Sequence, residues 1–206
     1  MSDSPEPEPL RTADVDRRLL AAVERLGRAI RAARQDVATT HGLSLLGLQI
    51  IDVVDRGGVQ TVGAIASELD VRQPTISDAV ATLEKRGLVT RRSGRSDRRV
   101  TEVLLTPRGS SLQAQINTDL APVLASPELD GDTDPTYEAH RGRALEAVLE
   151  EIRRLQRAGV ITVNRSCLSC AHYHAGEGDE PARCMLLDEE MPPAALRVDC
   201  PDHLAA

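Results

Sequence analysis

Aromatic residues are almost absent from this chain, which contains no Phe, no Trp and two Tyr among 206 residues. A core without aromatic rings has to be built from Leu, Val, Ile and Ala, and such a core favours helices over β-sandwiches. No hydrophobic run approaches the roughly 18 apolar residues that a membrane span requires. The opening segment MSDSPEPEPL also lacks the basic start and the apolar stretch of a signal peptide. We therefore expect a mostly α-helical, cytoplasmic protein.

Cysteine is equally scarce and is confined to one region. The chain has four cysteines, and all of them lie among its last forty positions together with three of its five histidines. Thiols stay reduced in the cytosol, so this clustering indicates a metal site before it indicates disulfides.

The length of 206 residues suits one main domain with a small appendage. Residues 1–10 are rich in Pro and acidic side chains and are expected to be disordered. We expect a main domain over residues 11–160 and a Cys-rich module over residues 164–206. The segment SPELDGDTDP has the composition of a linker within the main domain.

Apolar periodicity predicts a series of helices. The first begins at Thr12 and places apolar residues alternately four and three positions apart, which suits either a partner helix or the protein's own core: Leu19, Val23, Leu26, Ile30, Ala33 and Val37. LLGLQIIDVVDR, capped by Ser44, predicts a second helix, and TVGAIASELDV and RQPTISDAVATLEKRGLV predict two more joined by a tight turn. TYEAHRGRALEAVLEEIRRLQRAG predicts the last helix.

A hairpin pattern and a local excess of positive charge follow that helix pair. LVTRRSGRSDRRVTEVLLT has two β-rich runs around an Arg-loaded tip, and Thr106-Pro107 then starts another helix. Residues 72–108 contain nine basic and four acidic side chains, a net charge of +5 inside a chain whose net charge is −7. A positive patch of this kind is typical of phosphate binding, although a solvated charged hairpin is the alternative.

The stretch from Thr61 to Gly109, above all GLVTRR, SDRR and LLTPRG, resembles the MarR family of winged-helix transcriptional regulators. The resemblance implies a winged helix-turn-helix with a small β-wing and long N- and C-terminal helices that intertwine in an obligate homodimer. It also implies that the helix PTISDAVATLEKR enters the major groove of double-stranded DNA and that the wing lies along the minor groove. The DNA-binding residues expected on this basis are Gln73, Pro74, Thr75, Ser77, Asp78, Thr82, Arg95, Asp97, Arg98 and Arg99.

The resemblance ends before Asn164, and the cysteines beyond it need their own explanation. Cys167 and Cys170 have the C-x-x-C spacing by which two thiolates grip one ion, and Cys184 and Cys200 could complete a tetrahedral site. Zn²⁺ is the favoured occupant. A [4Fe–4S] cluster is the alternative, since Cys200-Pro201 is similar to the Cys-Pro of bacterial ferredoxins, and a metal-free thiol switch is a third possibility.

These patterns predict a sequence-specific DNA-binding transcriptional regulator that acts as a homodimer and carries a metal module. The module either senses the metal or redox state, or it only stabilises the dimer. The alternative is a redox or iron–sulfur protein, or a protein-interaction module, in which DNA binding is not the main role. We expect no enzymatic activity, because the sequence has no Ser/His/Asp arrangement, phosphate loop or paired catalytic carboxylates. A small-molecule effector is left open.

Overall fold

In the computed structural model, which describes residues 12–94, 100–124, 135–176, 178 and 180–206, the main domain is helical with a small sheet. The helices are α1 (Thr12–Thr40), α2 (Leu45–Gly57), α3 (Val62–Glu68), α4 (Gln73–Lys85), α5 (Pro107–Leu124) and α6 (Pro135–Arg157). The strands β1 (Gln60–Thr61), β2 (Val89–Ser93) and β3 (Thr101–Leu105) form an antiparallel sheet in the order β1-β3-β2. The predicted fold class, mostly α with a β-wing, is confirmed.

The boundaries of the first helices follow local chemistry. The Ser44 side chain accepts a hydrogen bond from the Gly47 N–H at 3.0 Å and caps α2, which ends at Gly58 with a positive φ of 65°. Thr61 caps α3 in the same way through the Ala64 N–H at 3.0 Å. These side chains satisfy backbone donors that have no partner inside the helix.

One aliphatic core holds the main domain together. It gathers the fully buried side chains of α2, α3 and α4 with those of the sheet and α5: Leu48, Ile51, Val54, Ile65, Ile76, Val80, Leu83, Val103 and Ile116. This packing fixes the helix-turn-helix formed by α3 and α4. The first half of α1 is different, because its residues from 15 to 29 are all exposed in the single chain.

The C-terminal region has few regular elements. It contains two short 3-10 helices (Cys167–Ser169 and Pro193–Ala195) and the antiparallel strands β4 (Tyr173–His174), β5 (Arg183–Cys184) and β6 (Glu189–Glu190). Its buried side chains Cys167, Met191 and Leu196 pack on Leu149 of α6, so part of its core is borrowed from that helix. Of the four aliphatic residues Leu186, Leu187, Leu196 and Val198, which lie between Cys184 and Cys200, only Leu196 is buried.

The predicted tip of the wing, the predicted linker and the predicted disordered N-terminus lie outside the described residues. The boundary proposed between residues 160 and 164 stays a prediction. No single helix in the described ranges is long and apolar enough to cross a membrane. One bent pair of helices in the described ranges, α1 with α2, passes such a test when length and composition alone are considered. The two helices meet at an angle of 95°.

Thr106 joins α5 to the start of the wing, which makes it a test of this architecture. Its hydroxyl donates to the Gly87 carbonyl at 2.7 Å and accepts from the Gly109 N–H at 3.0 Å. Thr106→Ala should lower the free energy of unfolding by about 1–2 kcal/mol, the usual cost of a lost helix cap. Urea denaturation measures this change, and Thr106→Ser, which keeps the oxygen, should recover most of it. Equal loss in both variants would show that the cap is not the cause.

Candidate DNA-binding surface and cysteine cluster

The outward face of α4 carries the side chains predicted to meet DNA. Ile76, Val80 and Leu83 are buried and fix the rotation of the helix. Five of the predicted contact residues are exposed on the other face, and Ser77 is half-buried: Gln73, Pro74, Thr75, Asp78 and Thr82. The Thr82 hydroxyl donates to the Asp78 carbonyl at 3.0 Å, which holds it against the helix. A polar, exposed helix face of this kind can approach base edges.

The four wing residues predicted to contact DNA, Arg95, Asp97, Arg98 and Arg99, lie outside the described residues. The strands that carry the wing tip are described, and β2 pairs with β3 in register from Val89 opposite Leu105 to Ser93 opposite Thr101. The predicted roles of all ten DNA-contacting residues therefore remain predictions.

The cations of the positive patch fall into two groups. Some bind other groups of the protein, and others are exposed to solvent. Arg91 donates to Glu84 at 2.8 Å, and this hydrogen bond keeps the pKa of the Glu84 carboxyl below its ordinary value. Arg92 pairs with Glu102 at 2.8 Å. These two pairs connect β2 to α4 and to β3, so they fix the orientation of the wing strands relative to α4.

Arg86 also serves the fold. Its guanidinium donates to the carbonyls of Gly42 at 2.6 Å and His41 at 3.0 Å, which anchors the turn between α1 and α2 to the end of α4. Arg72, Lys85 and Arg108, by contrast, are exposed and form no ion pair with any described residue. The charge count included these three cations, but the sequence prediction assigned them no DNA contact. Their exposure marks them as additional phosphate-binding candidates.

Polar contacts connect the recognition unit to the long helices. Asp52 of α2 pairs with Arg34 of α1 and accepts a hydrogen bond from Gln113 of α5. His41 contacts Asp119 of α5 at 2.8 Å. Burial lowers the pKa of the Arg34 guanidinium below its ordinary value, with the nearby positive charge of Arg56 as the second cause. These contacts join α1, α2 and α5, and α4 packs on α2.

The four cysteines are brought to one place. All are free thiols, and they line one small cavity together with Tyr173, Leu187, Met191 and Arg197. Burial raises the pKa of the Cys167 thiol, and the neighbouring Cys200, Cys170 and Cys184 raise it further. Within the described part of the chain, no three His, Cys, Asp or Glu side chains already stand as a ready-made set of metal ligands.

The three histidines of this region, His172, His174 and His203, are not among the residues that line this cavity. His174 is exposed on β4, and the His203 ring contacts the Ser169 hydroxyl at 3.0 Å. The common lining therefore consists of the four thiols and mainly apolar neighbours.

The arrangement of α3, α4 and the wing defines a winged helix-turn-helix protein. The model of the MarR family matches residues 41–100, and the resemblance to that family is confirmed for this part of the chain. No curated protein matches the chain.

Solved structures share the fold. The transcriptional regulator BldR from Sulfolobus solfataricus is 23% identical with a TM-score of 0.53, covering 72% of this chain and 99% of its own. Wild-type MarR from E. coli in its apo form is 18% identical with a TM-score of 0.52, covering 69% and 98%. Reduced AbfR bound to DNA is 18% identical with a TM-score of 0.51, covering 71% and 94%. Each neighbour is matched over nearly its whole length, whereas part of this chain has no counterpart in it.

The two adjacent cations Lys85 and Arg86 provide a matched pair for testing the division of the patch. Arg86→Gln should lower the free energy of unfolding by about 1–3 kcal/mol, because two charge-assisted hydrogen bonds to the carbonyls of His41 and Gly42 are lost. Lys85→Gln removes the same charge from an exposed side chain and should change stability by less than about 0.5 kcal/mol. Thermal or urea denaturation measures both. Equal effects would contradict the structural role of Arg86.

Proposed function

We propose that this protein is a transcriptional regulator rather than an enzyme, and that it binds double-stranded DNA sequence-specifically as a homodimer. The observation that carries the proposal is the polar, exposed face of α4, together with the exposed cations Arg72, Lys85 and Arg108, which form no ion pair with any described residue. A helix face supplies donors and acceptors for base edges, and exposed cations supply contacts to phosphates. The DNA-bound state of AbfR, which shares the fold, supports the same use of the surface.

The exposed part of α1 supports the homodimer. Five of its large apolar side chains are at least 39% exposed in the single chain: Val15, Leu19, Leu20, Val23 and Leu26. Val15, Leu19, Val23 and Leu26 follow one another at steps of four, four and three residues, which is the spacing of a helix-packing seam, and Leu20 lies next to Leu19. Val123 of α5 and Val148 of α6 are exposed as well. Apolar side chains so arranged on long helices are best covered by the same helices of a second copy.

The experiment for DNA recognition is selection of binding sites from a pool of random duplexes. We expect enrichment of a pseudo-palindrome whose half-sites are centred about 10 bp apart, because a two-fold dimer presents two α4 helices to successive major grooves. Fluorescence anisotropy on the selected duplex then compares the wild type with Lys85→Gln. The variant should bind more weakly and lower the slope of log K against log salt by up to about 0.9. Absence of any enriched sequence would contradict specific recognition.

The dimer has its own test. Leu26 is 60% exposed, and Leu26→Glu places a charge in the proposed seam, so the variant should be monomeric in sedimentation and should bind the palindrome at least about tenfold more weakly. Leu186→Glu is the matched control, because that leucine is 50% exposed and lies in the C-terminal region outside the seam. The control should remain dimeric. A Leu26→Glu protein that still sediments as a dimer would refute the role of α1.

A further inference from the structure

The region after residue 163 has too little of its own core to explain its order. Its strands are two residues long, and its buried apolar side chains are Cys167, Met191 and Leu196. A unit of about 40 residues normally needs disulfides, a metal or a partner surface to stay folded. All four cysteines are free thiols, so no disulfide supplies this constraint.

Backbone pairing directs the four thiols to the same cavity. Cys184 on β5 lies opposite Tyr173 and Glu189 in the small sheet. The Cys167 N–H donates to the Arg197 carbonyl at 3.0 Å, and the Cys200 N–H donates to the Arg165 carbonyl at 3.0 Å. The contacts join the three segments that carry cysteines, which are separated by 13 and 15 residues in the sequence.

We propose that Cys167, Cys170, Cys184 and Cys200 bind one Zn²⁺ ion as a closed all-thiolate site. Four sulfurs around one cavity match the ligand number and type of structural zinc sites, with Zn–S bonds of about 2.3 Å. Binding draws the sulfurs inward to this spacing. No ready-made set of metal ligands stands among the described residues, so this adjustment has to come from the two-residue strand β5 and the single 3-10 turn that carry Cys184 and Cys167.

The size and the surroundings of the cavity suit a single small ion. The cavity has a volume of about 20 Å³, which is near the space that one water molecule requires (roughly 10–15 Å³). Four thiolates and Zn²⁺ carry a net charge of −2. Arg197 belongs to the cavity lining, and its backbone N–H donates to the Cys167 sulfur at 3.2 Å. Such hydrogen bonds stabilise zinc-bound thiolates.

The bound ion also fixes how the module sits on the main domain. Asp199, next to Cys200, accepts from Arg165 and from Arg56 of α2, each at 2.7 Å. Arg165 pairs in turn with Glu68 at the end of α3 at 3.2 Å. Gly142 of α6 lies so close to the Pro193–Ala195 turn that a Cβ would be 2.7 Å from the Ala194 nitrogen. Zinc binding at Cys200 therefore holds Asp199 where it joins the helix-turn-helix.

The test is the metal content of the full-length protein, purified anaerobically without metal columns or chelators. We expect a colourless protein with one zinc ion per chain, released in step with the reaction of four thiols with a mercurial reagent. Replacement by Co²⁺ should give the charge-transfer absorbance of tetrahedral thiolate ligation. These measurements use the wild type, so they do not depend on whether a variant folds.

Cys184→Ser and His174→Ala form a matched pair, since both remove a donor from the same small sheet but only Cys184 lines the cavity. Cys184→Ser should lose the zinc and become sensitive to trypsin after Arg165, Arg183 and Arg197, while the main domain stays resistant. His174→Ala should keep one zinc and its protection. Iron with inorganic sulfide, a metal-free wild type, intramolecular disulfides, or loss of zinc in His174→Ala would each overturn the proposal.

Discussion

Close packing of aliphatic side chains around α2 is the interaction on which the rest of this structure depends. Leu48, Ile51 and Val54 are buried on one helix that contacts α1, α3, α4, α5 and the sheet. No aromatic ring contributes to this core, since Phe and Trp are absent from the chain. Methyl groups must therefore interdigitate closely. Loss of a methylene leaves a gap that no large aromatic neighbour can fill. The orientation of the exposed face of α4, which is proposed to bind DNA, consequently depends on how well α2 is packed.

Polar contacts on the other side of α2 connect this core to the long helices α1 and α5. Asp52 joins Arg34 of α1 to Gln113 of α5, and these side chains are mostly shielded from solvent. A partly buried pair resists separation, because removing one partner strands the other charge. Through Asp52, helix α1, which carries the proposed dimer seam, is connected to α2, on which α4 packs.

Much of the main domain could be predicted because its signals are local. Ser44, Thr61 and Gly58 mark helix ends within a few residues, and the buried positions Ile76, Val80 and Leu83 follow the helical period. The strand β1, only two residues long, gives no such signal. The role of Arg86 could not be predicted either, because its acceptors His41 and Gly42 are more than forty residues away. In the C-terminal region, apolar residues such as Leu186 and Val198 are exposed, whereas burial is decided by contact with Leu149 and Gly142 of α6, which no short pattern encodes.

The proposed zinc ion and the ion pairs of Asp199 and Arg165 act together to place the C-terminal module. Asp199, Arg56, Arg165 and Glu68 are all partly exposed, so each pair contributes at most about 1 kcal/mol. Ordering one residue costs roughly 1–2 kcal/mol, and a flexible segment of this length could not be held by so few surface contacts. Once a zinc ion has folded the module, the cost of ordering Asp199 and Arg165 has already been met. The same weak ion pairs are then sufficient to choose one orientation of the module against α2 and α3, the helices that support the DNA-binding surface.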